Sequence, residues 1–183
     1  MSEHAAIAAP SAWVQRGLAW LEPGARVLDF AAGQGRHARL AESLGLVVTA
    51  ADRDAAALKA IGGSVRCITA DLEAKPWPFA PGSFDAVVVC NYLYRPRFWE
   101  LCALLAPGGL LVYETFARGQ EHYGRPSNPD FLLNPGELFE RCRTEGMHVL
   151  AFEDGYAGTA RQARIQRVLA MAIGGDFEAF ALE

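Results

Sequence analysis

Two hydrophobic periods take turns along the chain. Residues 11–21, SAWVQRGLAWL, place Trp13, Val14, Leu18 and Leu21 at helical spacing with Ser11 as N-cap. Pro23-Gly24 breaks the pattern, and the apolar run Arg26 to Ala31 reads as a first strand. A helix from about Gly35 to Leu44 ends at Gly45, a C-cap glycine. Val47–Ala51 reads as the second strand, Asp54–Ile61 as an alanine-rich helix and Val65–Thr69 as the third strand. EAKPWPFAPGS holds three prolines, which remove donors and fix φ, so it is a loop; the strand DAVVVC begins at Asp85. Residues 95–106 predict a helix with Pro96 in its first turn, and Pro107-Gly108-Gly109 punctuates it before a fifth strand, LLVYETF.

Residues 117–133 lack either period and carry Gly, Pro and Asn, as binding loops and lids often do. Asn134-Pro135-Gly136-Glu137 opens another helix with an N-cap, a proline and a capping-box Glu. Strands near 147–153 and 164–172 complete seven, the last reached by a turn-rich connection short enough for an antiparallel hairpin. Alternating strands and helices of this kind make an α/β fold with a mostly parallel sheet.

Composition narrows the options. With 183 residues, 51% apolar, the chain can bury one sizeable core. A net charge of −4 leaves no electrostatic footprint for nucleic acid. Cys67, Cys90, Cys102 and Cys142 show no C-x-x-C spacing and fall on strands and helices as buried thiols do. That fits a reducing cytoplasm and neither a disulfide scaffold nor a metal site. MSEHAAIAAP lacks the basic region and apolar core of a signal peptide, and no apolar run reaches membrane-spanning length. Nothing in the sequence sets an oligomeric state.

The candidate chemistry lies in VLDFAAGQGRH. Gly33-Gln34-Gly35-Arg36-His37-Ala38 fits G-x-G-x-x-G/A after a strand and at a helix start, and Asp52 ends the next strand nineteen residues after Gly33. Such glycines let backbone approach a ligand, while the distal acid accepts from ribose hydroxyls. Dinucleotides and adenosyl ligands share this logic. Asp29 separates them: a carboxylate four residues before the glycine repels a pyrophosphate but suits a ligand bearing an ammonium and a sulfonium. Alongside that role, it can accept from loop amides.

VLDFAAGQGRHARLAESLGLVVTAADRDAAAL resembles the cofactor half of the class I S-adenosylmethionine-dependent methyltransferases. The resemblance continues through ITADLE, FDAVVVCNYLY and LLAPGGLLVYETF, covering roughly residues 25–116. GQGRHARLA and FLLNPGEL are similar to the small bacterial tellurite-resistance-type members. The chain departs from the pattern at Ala31, where the family often has a glycine.

The resemblance implies a Rossmann-like, doubly wound sheet in one domain over 1–183. It would comprise a helical segment (1–24), the cofactor core (25–116) and an acceptor-side loop, helix and hairpin (117–183). Asp29 would hold the methionyl ammonium, directly or through water, with Ala31, Gly33 and Gly35 shaping the turn and Arg36 meeting the carboxylate. Asp52 would bind the ribose and Asp71 the adenine amine, with the Leu72 backbone nearby. Arg53 is a surface residue in this reading and a 2′-phosphate partner in an NADP reading. Trp77, Phe79 and Phe84 would wall the adenine or seal the core.

Asn91 and Tyr92 follow the fourth strand, where the transferred methyl should lie, without the two prolines of an N-P-P-Y box. With Glu114 and His122 they form the catalytic candidates, and Asn91 is a cofactor-binding candidate as well; Tyr123 and Arg125 are further acceptor-side residues. The expected acceptor is a small molecule rather than nucleic acid or protein. Two rivals stand beside this reading: an NAD(P)-binding oxidoreductase, and a non-catalytic methyltransferase-like subunit.

Overall fold

A computed structural model describes residues 9–74, 76–158 and 162–175. The first eight residues of the expected N-terminal segment and part of the last connection lie outside them. Seven strands form one sheet in the order β3-β2-β1-β4-β5-β7-β6: β1 Arg26–Phe30, β2 Val47–Asp52, β3 Arg66–Thr69, β4 Phe84–Cys90, β5 Leu105–Phe116, β6 His148–Ala157 and β7 Ala163–Met171. β1 to β5 pair in parallel, whereas β7 runs antiparallel to both β5 and β6. The expected doubly wound architecture with an antiparallel hairpin strand is therefore present.

Helices α1 (Ala12–Leu18), α2 (Arg36–Ser43) and α3 (Ala55–Lys59) cover one face, where Trp13, Val14, Ala38 and Leu58 pack against Val48, Val88, Val112 and Leu169. Helices α4 (Phe98–Ala103) and α5 (Glu137–Thr144) cover the other, with Phe98, Leu101 and Leu138 against Leu28, Val87 and Tyr113. Both layers follow from strands buried on two sides, which read as nearly continuous apolar runs such as AVVVC. α1 sits close on the sheet through Gly17: a Cβ there would lie 2.8 Å from both Leu169 Cδ2 and Val112 Cγ2.

Three local expectations change. The helix predicted over 95–106 is a 3₁₀ turn, Arg95–Arg97, followed by α4, and it ends at Ala103. β5 then starts at Leu105, before the Pro-Gly-Gly run. The register jumps from Phe84↔Leu105 to Ala86↔Leu110, so residues 106–109 bulge opposite Asp85. Gly109 permits this, since a Cβ there would meet Ala106 O at 2.9 Å.

Asn134 is not the helix cap. Gly136, at φ 69°, precedes α5, while the Asn134 amide and side chain both donate to Glu137 Oε2 at 2.9 and 3.0 Å. Cys67 lies exposed on edge strand β3, unlike the buried Cys90 and Cys142.

Candidate active site

β1 and β4 are neighbours in the sheet, and the chain leaves them toward opposite faces. Open α/β sheets bind ligands in the crevice at such a switch point, beyond the carboxyl ends of the strands. A cavity of ≈ 450 Å³ lies there, within the range of about 300–1,000 Å³ typical of small-molecule sites. Ala31 (φ 60°) and Asn91 (φ 57°) immediately follow β1 and β4. They are the two non-glycine residues with positive φ among the described residues, and both line the cavity. Backbone held in that region costs about 1–3 kcal/mol per residue, and such outliers cluster at functional sites.

One half of the wall comes from the ends of β1, β2 and β3. Asp52 accepts the Gly33 amide on Oδ2 at 2.8 Å and the Asp54 amide on Oδ1 at 2.9 Å, which fixes the carboxylate between the glycine turn and α3. Asp71, just past β3, accepts the Glu73 amide at 2.9 Å. Leu72 is buried, and its carbonyl accepts the Trp77 indole at 2.9 Å. Arg53 and Glu73 complete this charged half. Each carboxylate keeps lone pairs for further donors at the cavity, as ribose hydroxyls and an adenine amine require.

The other half is nearly uncharged. Asn91, Tyr92 and Leu93 follow β4, Thr115 and Phe116 end β5, and Pro126 and Phe131 come from the irregular segment. Tyr92 meets Phe30 edge-on at 5.7 Å, and its hydroxyl is buried without a partner. Burial, with Glu73 next in importance, pushes its phenol above the usual range. The Tyr92 carbonyl accepts the buried Tyr113 hydroxyl at 2.7 Å, which ties the post-β4 turn to β5.

Several predicted site residues stand outside this cavity. Asp29 is 2% exposed beneath α2, where Oδ2 accepts the Ala38 amide at 2.9 Å. Burial raises its pKa to about 7, against the pull of that hydrogen bond and of Arg36. Arg36 donates to Cys90 Sγ at 3.2 Å and to the Ala9 carbonyl at 3.3 Å. Gly35 has a packing reason beside its φ of 72°: a Cβ there would lie 2.5 Å from Ile61. At Gly33 a Cβ would meet nothing within 4 Å.

Of the catalytic candidates, Asn91 and Tyr92 reach the cavity, whereas Glu114 and His122 do not. Glu114 turns to the α1 face and pairs with Arg167 at 3.4 Å. His122 is exposed in a 3₁₀ turn, and Tyr123 beside it packs on Tyr156. Arg125 is also exposed and absent from the lining. Trp77, Phe79 and Phe84 pack with the core rather than wall the cavity.

Sequence reasoning missed Thr115, Phe116, Pro126 and Phe131, and also Glu73 and Leu93. The first two were within reach of it. They end β5 as Asp52 ends β2, and a strand end at the switch point is itself the signal.

The segment 117–133 is a pinned wall. Gln120, buried, donates to the Arg125 carbonyl at 3.3 Å and accepts the Arg164 amide at 2.9 Å. Arg95 grips it from the post-β4 turn, donating to the carbonyls of Asp130 (2.5 Å) and Leu132 (2.7 Å). The same guanidinium makes a forked pair with Glu137, 2.7 and 2.9 Å, and Arg141 adds a contact at 2.8 Å. Burial alone would raise the Glu137 pKa, but Arg95, the Asn134 amide and Arg141 hold it at about 2.

Solved structures share this fold at low identity. An S-adenosylmethionine-dependent methyltransferase from Methanosarcina mazei superposes with a TM-score of 0.70 and 15% identity, over 91% of this chain and 99% of that one. TehB from Haemophilus influenzae gives 0.74 and 17%, over 91% and 63%. The [4+2]-cyclase SpnF gives 0.69 and 16%, over 88% and 80%, so the fold alone does not fix the chemistry. No curated protein matches the chain. A family model described as a methyltransferase domain matches residues 2–155, and the chain accordingly belongs to the S-adenosylmethionine-dependent methyltransferases.

Proposed function

We propose that this chain, as a single domain, methylates a small molecule within the switch-point cavity. One observation carries the reading: a carboxylate-bearing half and a nearly uncharged half share one cavity, with the strained Ala31 and Asn91 between the strand ends. S-adenosylmethionine supplies a methyl already activated on a sulfonium. Asp52 receives the ribose hydroxyls and Asp71 the adenine amine, with Leu72 packing beside the base. Asp29 answers the methionyl ammonium through water, and Arg36 turns from its weak neutral acceptors to the carboxylate. Asn91 and Tyr92 orient the acceptor, and rate comes mainly from holding it in line with water excluded. Free thiols on four cysteines suit a reducing cytoplasm, and no helix among the described residues is long and apolar enough to cross a membrane.

Calorimetric titration with S-adenosylmethionine, S-adenosylhomocysteine and NADH tests this. Saturable binding of the adenosyl ligands and none of NADH is expected. Binding of NADH alone, or of none of the three, would overturn it.

A further inference from the structure

Phe131 is a large apolar side chain left 49% exposed, yet the backbone on both sides of it is gripped by Arg95 through the carbonyls of residues 130 and 132. Exposed apolar groups are ordinary when scattered singly; one fixed in place on a cavity wall beside Phe116, Pro126 and Leu93 forms an apolar patch. Asn91 and Tyr92, which follow β4, line the same cavity. Every carboxylate and guanidinium lining the cavity, namely Asp52, Arg53, Asp71 and Glu73, belongs to the opposite half.

Among the described residues that line the patch, none is a proton acceptor suited to neutral pH. Tyr92 is the one ionisable side chain among the described residues of this half, and burial, with the Glu73 charge next, makes its proton harder to remove. Glu114 is engaged by Arg167 on the other face of the sheet, and His122 is exposed away from the lining. A group that must give up a proton during transfer finds no base here.

We infer that Leu93, Phe116, Pro126 and Phe131 form the acceptor subsite, and that it takes an apolar, ring-bodied molecule whose nucleophile is already deprotonated in solution, as in an aryl thiolate. The assignment rests on the methyl-transfer reading above and adds the substrate class. The thiolate lone pair forms a bond to the methyl carbon while the sulfonium–methyl bond breaks. Its electron pair returns to the cofactor sulfur, so a neutral aryl methyl thioether and S-adenosylhomocysteine leave and no proton moves.

Three probes with related bodies test it: 4-methylbenzenethiol, its 4-sulfonate counterpart, and 4-methylphenol, which keeps its proton at neutral pH. S-adenosylhomocysteine formation is expected with the first at kcat/KM at least tenfold above the second, and with the third not at all. Phe131→Ala should cut kcat/KM for 4-methylbenzenethiol about tenfold. It should weaken calorimetric binding of that thiol to the S-adenosylhomocysteine-loaded protein, with the Kd for S-adenosylmethionine unchanged.

Equal turnover of the sulfonate, methylation of the phenol, an unaffected Phe131→Ala variant, or no turnover of any probe by protein that binds S-adenosylmethionine would each overturn the inference. Failure to bind S-adenosylmethionine would instead overturn the methyl-transfer reading itself.

Discussion

The two halves of the cavity are built by different means. In the carboxylate half, the two aspartates are fixed mainly by neighbours close in sequence: Asp52 by the Asp54 amide and Asp71 by the Glu73 amide, while the Gly33 contact to Asp52 reaches nineteen residues. In the apolar half, position is set from far away. Arg95 reaches 35 and 37 residues to the carbonyls of 130 and 132, and 42 residues to Glu137. Local geometry holds the carboxylate side, and a long-range polar clamp holds the apolar side. A change in one half should therefore leave the other half's function measurable.

The largest effect is expected at Asp52. Asp52→Ala removes charge-assisted acceptors, each worth about 1.5–3 kcal/mol, so affinity for S-adenosylmethionine should fall about a hundredfold by calorimetry. The variant should remain folded by circular dichroism, and unchanged affinity would remove Asp52 from the site.

Beneath the glycine turn, two buried groups titrate oppositely. Asp29 has its pKa raised to about 7, so between about pH 4 and 7 the native state holds a proton that the unfolded chain has lost, and stability falls as pH rises. His37, lowered to about 4 by burial and then by Arg36, does the reverse: between about pH 4 and 6.5 the unfolded chain holds the extra proton, and stability rises. The two slopes offset one another. Asp29→Asn should expose the histidine slope, a gain on the order of 3 kcal/mol from pH 4 to 6.5 in denaturant titrations. A flat profile in that variant would contradict the assignment.

Glu137 sets the contrast. Its pKa is depressed to about 2, so its stabilisation is complete above about 4.5 and is lost as pH falls toward 2. Glu137→Gln should cost about 2 kcal/mol of stability and lower acceptor kcat/KM, while the Kd for S-adenosylmethionine stays within about twofold. A large loss of cofactor affinity would merge the two halves. The smallest effect is expected for Tyr113→Phe, which removes one hydrogen bond worth about 1 kcal/mol. It should lower kcat several-fold with KM for the cofactor unchanged; a fall in stability alone would make Tyr113 structural only.

This division also explains what could be read in advance. The alternation of strands and helices, the glycine turn, Asp52 and Asp71 rest on patterns a few residues long, and Asn91 and Tyr92 on their place after a strand. Such signals survive in a linear text. The grip of Arg95 on 130 and 132 does not, because backbone carbonyls carry no residue type and the partners meet only after the sheet closes. Phe131, in a segment without period, looked like any loop aromatic. Gly109 misled for a related reason: in the sequence it marks a break, whereas in the fold its missing Cβ lets a strand bulge past β4.

Arg95 holds the apolar wall by the main-chain carbonyls on either side of residue 131. On the acceptor-subsite inference above, the shape presented to the acceptor can therefore change by substitution at Phe131 while the hydrogen bonds of the clamp, made to main-chain carbonyls, remain. Selection for a new substrate would meet little resistance from selection for a folded protein, and the wall is a place where specificity can drift cheaply.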